Sequence, residues 1–179
     1  MEGWSPSNSG KKDEAYLNYS MEEALSNSVN TVAVKVLEKT GIPTVIEQAR
    51  KMGIETQLPS LPSLALGTAE IKINELAGAY ASFLNNGRSV SPFLIQRITN
   101  EKDSIIETFK PVVADKRAFS EETGQIMLEM MKATVNSGTA ARIRSTYGIK
   151  NDIAGKTGTT QNNKDAWFVA LTPKLLNIT

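Results

Sequence analysis

The sequence predicts an α+β domain in which helices outnumber strands. Three observations carry that prediction. Apolar residues recur at helical spacing in several separate stretches, two pairs of strand-like runs are each joined by a four-residue polar turn, and no internal repeat, low-complexity tract or domain boundary interrupts the 179 residues.

The first dozen residues, polar and broken by Pro6 and Gly10, read as an extended or turning segment. Tyr19 to Leu25 then reads as a short helix with Ser20 as N-cap, because a serine hydroxyl can accept a hydrogen bond from an orphaned N–H of the first turn. Ser26 to Asn30 is a polar break. From Thr31, the residues Val32, Ala33, Val36 and Leu37 predict a second helix that Gly41 stops. Pro43 starts a third, with Val45, Ile46, Ala49 and Met52 on one face and Gly53 at its end. Residues 57 to 70, with Pro59, Pro62 and Gly67 and little periodicity, read as a loop. The clearest helix follows: Ile73, Leu76, Ala77, Tyr80, Ala81 and Leu84 form a stripe closed by Asn85-Asn86-Gly87.

Phe93 to Thr99 and Ser104 to Phe109, either side of Asn100-Glu101-Lys102-Asp103, read as a hairpin. Ser120 caps a long helix in which Ile126, Met127, Met130, Met131 and Val135 are expected to face a core, until Gly138 stops it. Ile153 to Thr160 and Asp165 to Leu171 predict a second hairpin, joined by Gln161-Asn162-Asn163-Lys164.

The composition, 40% hydrophobic and 22% charged, suits one soluble globular domain with a real core. Twenty basic against nineteen acidic residues leave a formal charge of +1, so no overall charge draws the chain to nucleic acid or an anionic membrane. No Cys and no His are present. Their absence excludes thiol nucleophiles, disulfides, the usual Cys/His zinc sites and any Ser-His-Asp triad. An activated serine here would need Lys as its base. No apolar run is long enough to span a membrane and the N-terminus lacks a signal-like apolar region, so export or anchoring is not expected from this sequence itself.

Two chemistries compete for Ala154-Gly155-Lys156-Thr157-Gly158-Thr159. A phosphate-binding loop of the form G-x-x-x-x-G-K-[ST] would put its first glycine at position 150, which is Lys150, and Gly148 lies two residues too early. Such a loop must also lead into a helix, whereas turn residues and a Trp-Phe-Val strand follow. The alternative is the Lys-Thr-Gly element of penicillin-recognising serine enzymes, which accompanies S-x-x-K and S-x-N elements. An edge strand can present Lys as a fixed charge, Thr hydroxyls to a carboxylate, and Gly where a peptide approaches the backbone. Ser28-Val29-Asn30, at the polar break, is the S-x-N candidate; read without the downstream motif, Ser28 or Asn30 could simply cap the following helix.

The order of these motifs resembles the transpeptidase domain of class A penicillin-binding proteins. Glu23-Ala24-Leu25-Ser26-Asn27-Ser28-Val29-Asn30-Thr31 is similar to the family's second motif, and Ala154 to Thr160 with Asp165-Ala166-Trp167-Phe168-Val169 to its third motif and next strand. Between them Ala65-Leu66-Gly67-Thr68, Glu75 to Ala81 with Asn86-Gly87, and Val135-Asn136-Ser137-Gly138-Thr139-Ala140 resemble the intervening stretches, in order.

The resemblance implies a partial β-lactamase/transpeptidase-like fold, an antiparallel sheet packed against helices, over residues 1–179. It implies a peptidoglycan D,D-transpeptidase that works through a serine acyl-enzyme, binds the stem peptide, is blocked by β-lactams and acts on the extracytoplasmic face of the bacterial membrane, with no cofactor or metal. By position, Ser28 would shuttle protons, Asn30 would bind the substrate amide carbonyl and Lys156 would supply positive charge. Thr157, Gly158 and Thr159 would receive the substrate, the Thr159 N–H completing an oxyanion hole. The departure is the nucleophile: only Ser9-Gly10-Lys11-Lys12 has S-x-x-K spacing, and it sits among Pro, Asn and Gly rather than at the head of an apolar helix. The expectation is therefore a chain inactive by itself, lacking the upstream S-x-x-K segment and the family's last strand and helix. A non-catalytic module that recognises stem peptide or a partner protein is the alternative.

Overall fold

The computed structural model describes residues 6–8, 17–159 and 166–179, and its first helix begins where two residues satisfy each other's backbone. Ser20 Oγ accepts from the Glu23 N–H at 3.2 Å, and the Glu23 carboxylate accepts from the Ser20 N–H at 2.8 Å, a capping box that starts α1 (Met21–Ser26). Helices α2 (Asn30–Thr40) and α3 (Ile42–Lys51) meet at Gly41, with Pro43 in the first turn of α3. Part of the segment read as loop, Pro62–Leu66, is instead a 3-10 helix. Pro62 has the fixed φ that a first turn needs, and Gly67, at φ 73°, stops it.

Helix α4 (Ile73–Leu84) lies where the periodicity puts it, but its tightest face is not the large apolar stripe. Gly78, Ala79 and Ser82 are buried while Ile73 is exposed. The cause is β1 (Val90–Ser91), whose Val90 carbonyl oxygen lies 2.3 Å from where a Cβ on Gly78 would stand. Strand β1 pairs with β4 (Val112–Val113), and between them β2 (Arg97–Thr99) and β3 (Ile105–Thr108) form the expected hairpin, shorter than the sequence runs. Asn100 Oδ1 builds its turn by accepting from the N–H groups of Lys102 and Ser104.

Helix α5 (Glu121–Asn136) starts at Ser120 as predicted, its hydroxyl accepting from the Thr123 N–H. Its inward stripe is Gly124, Leu128, Met131 and Val135, at spacings of four, three and four. Ile126, expected to face the core, is exposed because it sits two residues, roughly 200°, round the helix from Gly124. A short helix α6 (Arg142–Ser145) follows.

The C-terminal sheet is antiparallel, in the order β5 (Ala154–Thr159), β6 (Ala166–Thr172), β7 (Leu175–Ile178). Strand β7 pairs with β6, Leu171 with Leu176 and Val169 with Ile178. Thr160, Asp165 and the Gln161–Lys164 turn lie outside the described residues.

Met131, Ala154, Val169 and Leu171 form the core beneath this sheet, joined by Leu25 from α1 and by Tyr80 and Phe83 from α4. Each large side chain buried this way contributes about 1.5–3 kcal/mol, so α1 and β5, far apart in sequence, are fixed on one body. A second cluster, Ile54, Leu58 and Ala79, holds α3 and the 3-10 segment on the other flank of α4. The α+β expectation holds, with the strands among the described residues forming one three-stranded and two two-stranded sheets.

Candidate active site

The corner between α1 and α2 is built on a backbone that its sequence does not favour. Ser28 adopts φ 52°, the left-handed region that costs an L-residue about 1–2 kcal/mol. Its N–H donates to the Leu25 carbonyl at 3.2 Å, and the Val29 N–H to the Ala24 carbonyl at 2.9 Å. This pair of bonds is the helix ending normally reserved for glycine, and both residues it joins across the turn, Ala24 and Val29, are buried. A serine there keeps a hydroxyl that glycine would lack.

That hydroxyl accepts a hydrogen bond from Lys156 Nζ, which also donates to the Thr157 carbonyl at 2.8 Å. Ser28 and Lys156 stand 128 residues apart in sequence and meet because α1 and β5 pack on the same core. Lys156 is half-buried, and that burial holds its ammonium below the usual lysine range. Its environment therefore favours giving up a proton more than a surface lysine's would.

Beside this pair, Thr157 Oγ1 lies 2.6 Å from Thr139 Oγ1. The Thr139 loop is clamped: its N–H donates to the Ser26 carbonyl at 3.0 Å, and a Cβ on Gly138 would stand 2.3 Å from that same oxygen. The sequence reading did not single out Thr139 as a site residue. Its signal was its place in the Val135-Asn136-Ser137-Gly138-Thr139-Ala140 stretch, which resembles one of the intervening stretches noted above.

Strand β5 has no strand partner on one edge among the described residues. Gly155 is required from inside, because a Cβ there would meet the Phe168 ring at 2.8 Å. Gly158 is not: a Cβ would make only ordinary contact, 3.5 Å from Trp167, and both Gly158 and Thr159 are exposed. An open edge ending in an exposed glycine can accept an extended peptide as an added strand. A strand at Ala154–Thr159 also removes the phosphate-loop alternative, which needs a loop entering a helix.

Asn30 is the first residue of α2, and its Nδ2 donates to the Ser7 carbonyl at 2.8 Å rather than to Ser28 or Lys156. Neither Ser28 nor Asn30 caps α2; Val29 occupies the cap position without a side-chain bond. Ser9-Gly10-Lys11-Lys12 lies outside the described residues.

A family model described as the penicillin binding protein transpeptidase domain matches residues 2–177. Penicillin-binding protein 1A of Aquifex aeolicus (strain VF5) is 36% identical over 175 residues, which is 98% of this chain and 23% of that protein. Penicillin-binding protein 1A of Neisseria lactamica is 36% identical over 177 residues, 97% of this chain and 22% of that protein. The chain thus spans less than a quarter of these curated relatives. Among solved structures, penicillin-binding protein 1A from Haemophilus influenzae matches with a TM-score of 0.85 at 24% identity, over 98% of this chain and 31% of the other. The imipenem acyl-enzyme complex of penicillin-binding protein A from M. tuberculosis matches at 0.71 and 22% identity, over 89% of this chain and 41% of the other. At these identities the structural matches carry the fold alone.

Proposed function

Because the chain belongs to the penicillin-binding protein transpeptidase family, we propose that it supplies the proton-relay and substrate-holding part of a peptidoglycan D,D-transpeptidase site. The observation that carries this reading is the hydrogen bond from Lys156 to Ser28, which joins the two motifs into one site.

In the proposed reaction a serine supplied from outside the described residues attacks the carbonyl of the penultimate D-alanine of a stem peptide. The amide bond breaks, the terminal D-alanine leaves with a proton, and an acyl ester remains. The amine of a second stem peptide then attacks the ester, forming the crosslink and returning a proton to the serine. The hydroxyl of Ser28 relays these protons, accepting from Lys156 on one side and donating on the other. Lys156 supplies positive charge, the Thr157 and Thr159 hydroxyls hold the terminal carboxylate, Asn30 binds the amide carbonyl, and the exposed Gly158–Thr159 end leaves room for the peptide backbone. The Thr159 N–H receives the developing oxyanion. A β-lactam would enter the same place as a cyclic amide and remain as the ester. The place of action is the extracytoplasmic face of the bacterial membrane, reached through regions other than these residues.

The test is covalent labelling with a fluorescent penicillin. The 179-residue chain is expected to take no label, and to take it once a segment carrying S-x-x-K at the head of an apolar helix is joined upstream. In that extended form Lys156→Ala is expected to slow labelling about 100-fold or more. Stoichiometric labelling of the unextended chain, or full labelling of the Lys156→Ala form, would overturn the proposal.

A further inference from the structure

We propose that Ser7 and Asn8 form a positioning clamp: Asn8 caps α2 from 23 residues upstream, and the Ser7 carbonyl sets which end of the Asn30 amide faces the site. The consequence for substrate rests on the transpeptidase reading; the clamp itself does not.

Helix α2 begins with a deficit. Its first-turn N–H groups need acceptors, and Val29 at the cap position has none to offer. Asn8 Oδ1 fills the gap, accepting from the Thr31 N–H at 3.0 Å, while Asn8 Nδ2 donates to Thr31 Oγ1 at 3.2 Å. Both ends of the Asn8 amide are therefore used, and only one orientation of it satisfies both bonds. One residue earlier, the Ser7 carbonyl accepts from Asn30 Nδ2 at 2.8 Å. An asparagine has two N–H donors and one oxygen, so committing one N–H to Ser7 leaves the other N–H and Oδ1 with fixed directions. An amide meant to receive a substrate carbonyl must not rotate, and this contact stops the rotation.

Ser28 shares the consequence. It stands two residues before Asn30, in a left-handed conformation that persists only while the surrounding backbone imposes it. The hydrogen-bonded end of α1 holds one side of that residue, and the capped start of α2 holds the other. Fraying of the first turn of α2 would let the corner relax and turn the Ser28 hydroxyl away from Lys156.

The experiment is NMR on the 15N-labelled 179-residue chain, comparing Asn8→Ala with Asn8→Asp. Asn8→Ala is expected to speed hydrogen exchange at the Thr31 amide roughly fivefold, the loss typical of a removed cap. It should also move the two Asn30 side-chain proton signals toward their unfolded-chain shifts, as the bond to Ser7 is lost, and shift the Lys156 ammonium signal. Asn8→Asp keeps the acceptor and adds charge favourable at a helix start, so Thr31 protection and the Asn30 signals are expected to return to wild-type values. Wild-type Thr31 and Asn30 signals in Asn8→Ala, or equal disturbance by both substitutions, would overturn the clamp. If Asn8→Ala does not fold, Asn8→Asp with wild-type Thr31 protection supports the clamp and Asn8→Asp without it refutes it. None of these signals requires acylation, so loss of the transpeptidase reading would leave them as predicted.

Discussion

Ser28 and Asp103 share one unusual backbone, at φ 52° and 57°, in opposite surroundings. Asp103 sits in the β2–β3 turn, where Asn100 organises the chain and every residue of both strands is exposed. Ser28 sits between two helices above a buried valine, with Lys156 on its hydroxyl. Aspartate tolerates left-handed backbone because its side chain bonds locally. Serine tolerates it less well, and here its side chain bonds a residue on another element. The difference teaches that strain at the α1–α2 corner is offset by contacts elsewhere in the molecule, whereas the hairpin turn is self-sufficient.

The largest expected effect strikes the frame of that corner. Gly138→Ala would drive a Cβ into the Ser26 carbonyl and the Thr134 Cα, both backbone atoms that cannot swing aside. We expect a loss of about 2–4 kcal/mol by urea denaturation; a loss below about 0.5 kcal/mol would detach the Thr139 loop from the account.

A smaller effect separates the two turns themselves. Asp103→Gly is expected to stabilise by up to about 1 kcal/mol, through relief of left-handed strain alone. Ser28→Gly gains the same relief and loses the Lys156 partner, so it should fall short of Asp103→Gly by about 1–3 kcal/mol. Ser28→Ala loses the partner and keeps the strain, and should be less stable than Ser28→Gly by about 1 kcal/mol. Equal effects of Ser28→Gly and Asp103→Gly would erase the distinction.

The pH dependence follows from Lys156. Its pKa is lowered by burial in the folded chain, so between that value and the ordinary lysine value the unfolded chain binds more protons. Lys156 then contributes a rise in stability with pH through that window, at no more than about 1.4 kcal/mol per pH unit for one proton, best read below the ordinary tyrosine range because buried Tyr80, its pKa raised, contributes with the opposite sign above it. Lys156→Met should remove the rise, read as the urea midpoint against pH. A midpoint that falls with pH through the window, or an unchanged slope in Lys156→Met, would contradict this.

The smallest effects belong to the hairpin arm. Leu94 and Ile106 are 102% and 66% exposed, so Leu94→Ser and Ile106→Thr should each change stability by less than about 0.5 kcal/mol. Thermal denaturation that drops by several degrees would mean the arm is packed.

The residues visible in advance were those whose signal is local. Ser20 as an N-cap, the α4 period, the Asn100 turn and the strand bearing Lys156-Thr157-Gly158 each depend on neighbours within a few positions. What the sequence hid was settled at a distance. The two-residue strands β1 and β4 exist because Gly78 admits the Val90 backbone. Strand β7 exists because β6 offers it an edge. Asn8 as cap for a helix 23 residues on, and Thr139 beside Thr157, have no periodicity or spacing to mark them. Ile126 was misplaced for a related reason: several phases of an apolar pattern fit α5, and only contact with Ala154 and Leu171 selects one.

The central claim is that Ser28 and Lys156 form one desolvated site, and titrating the Lys156 ammonium by NMR tests it most directly. The account predicts a titration below the ordinary lysine range, with a signal that moves on Ser28→Gly and stays in place on Asp103→Gly. A Lys156 that titrates as an ordinary surface lysine and ignores Ser28→Gly would show that the two motifs do not converge.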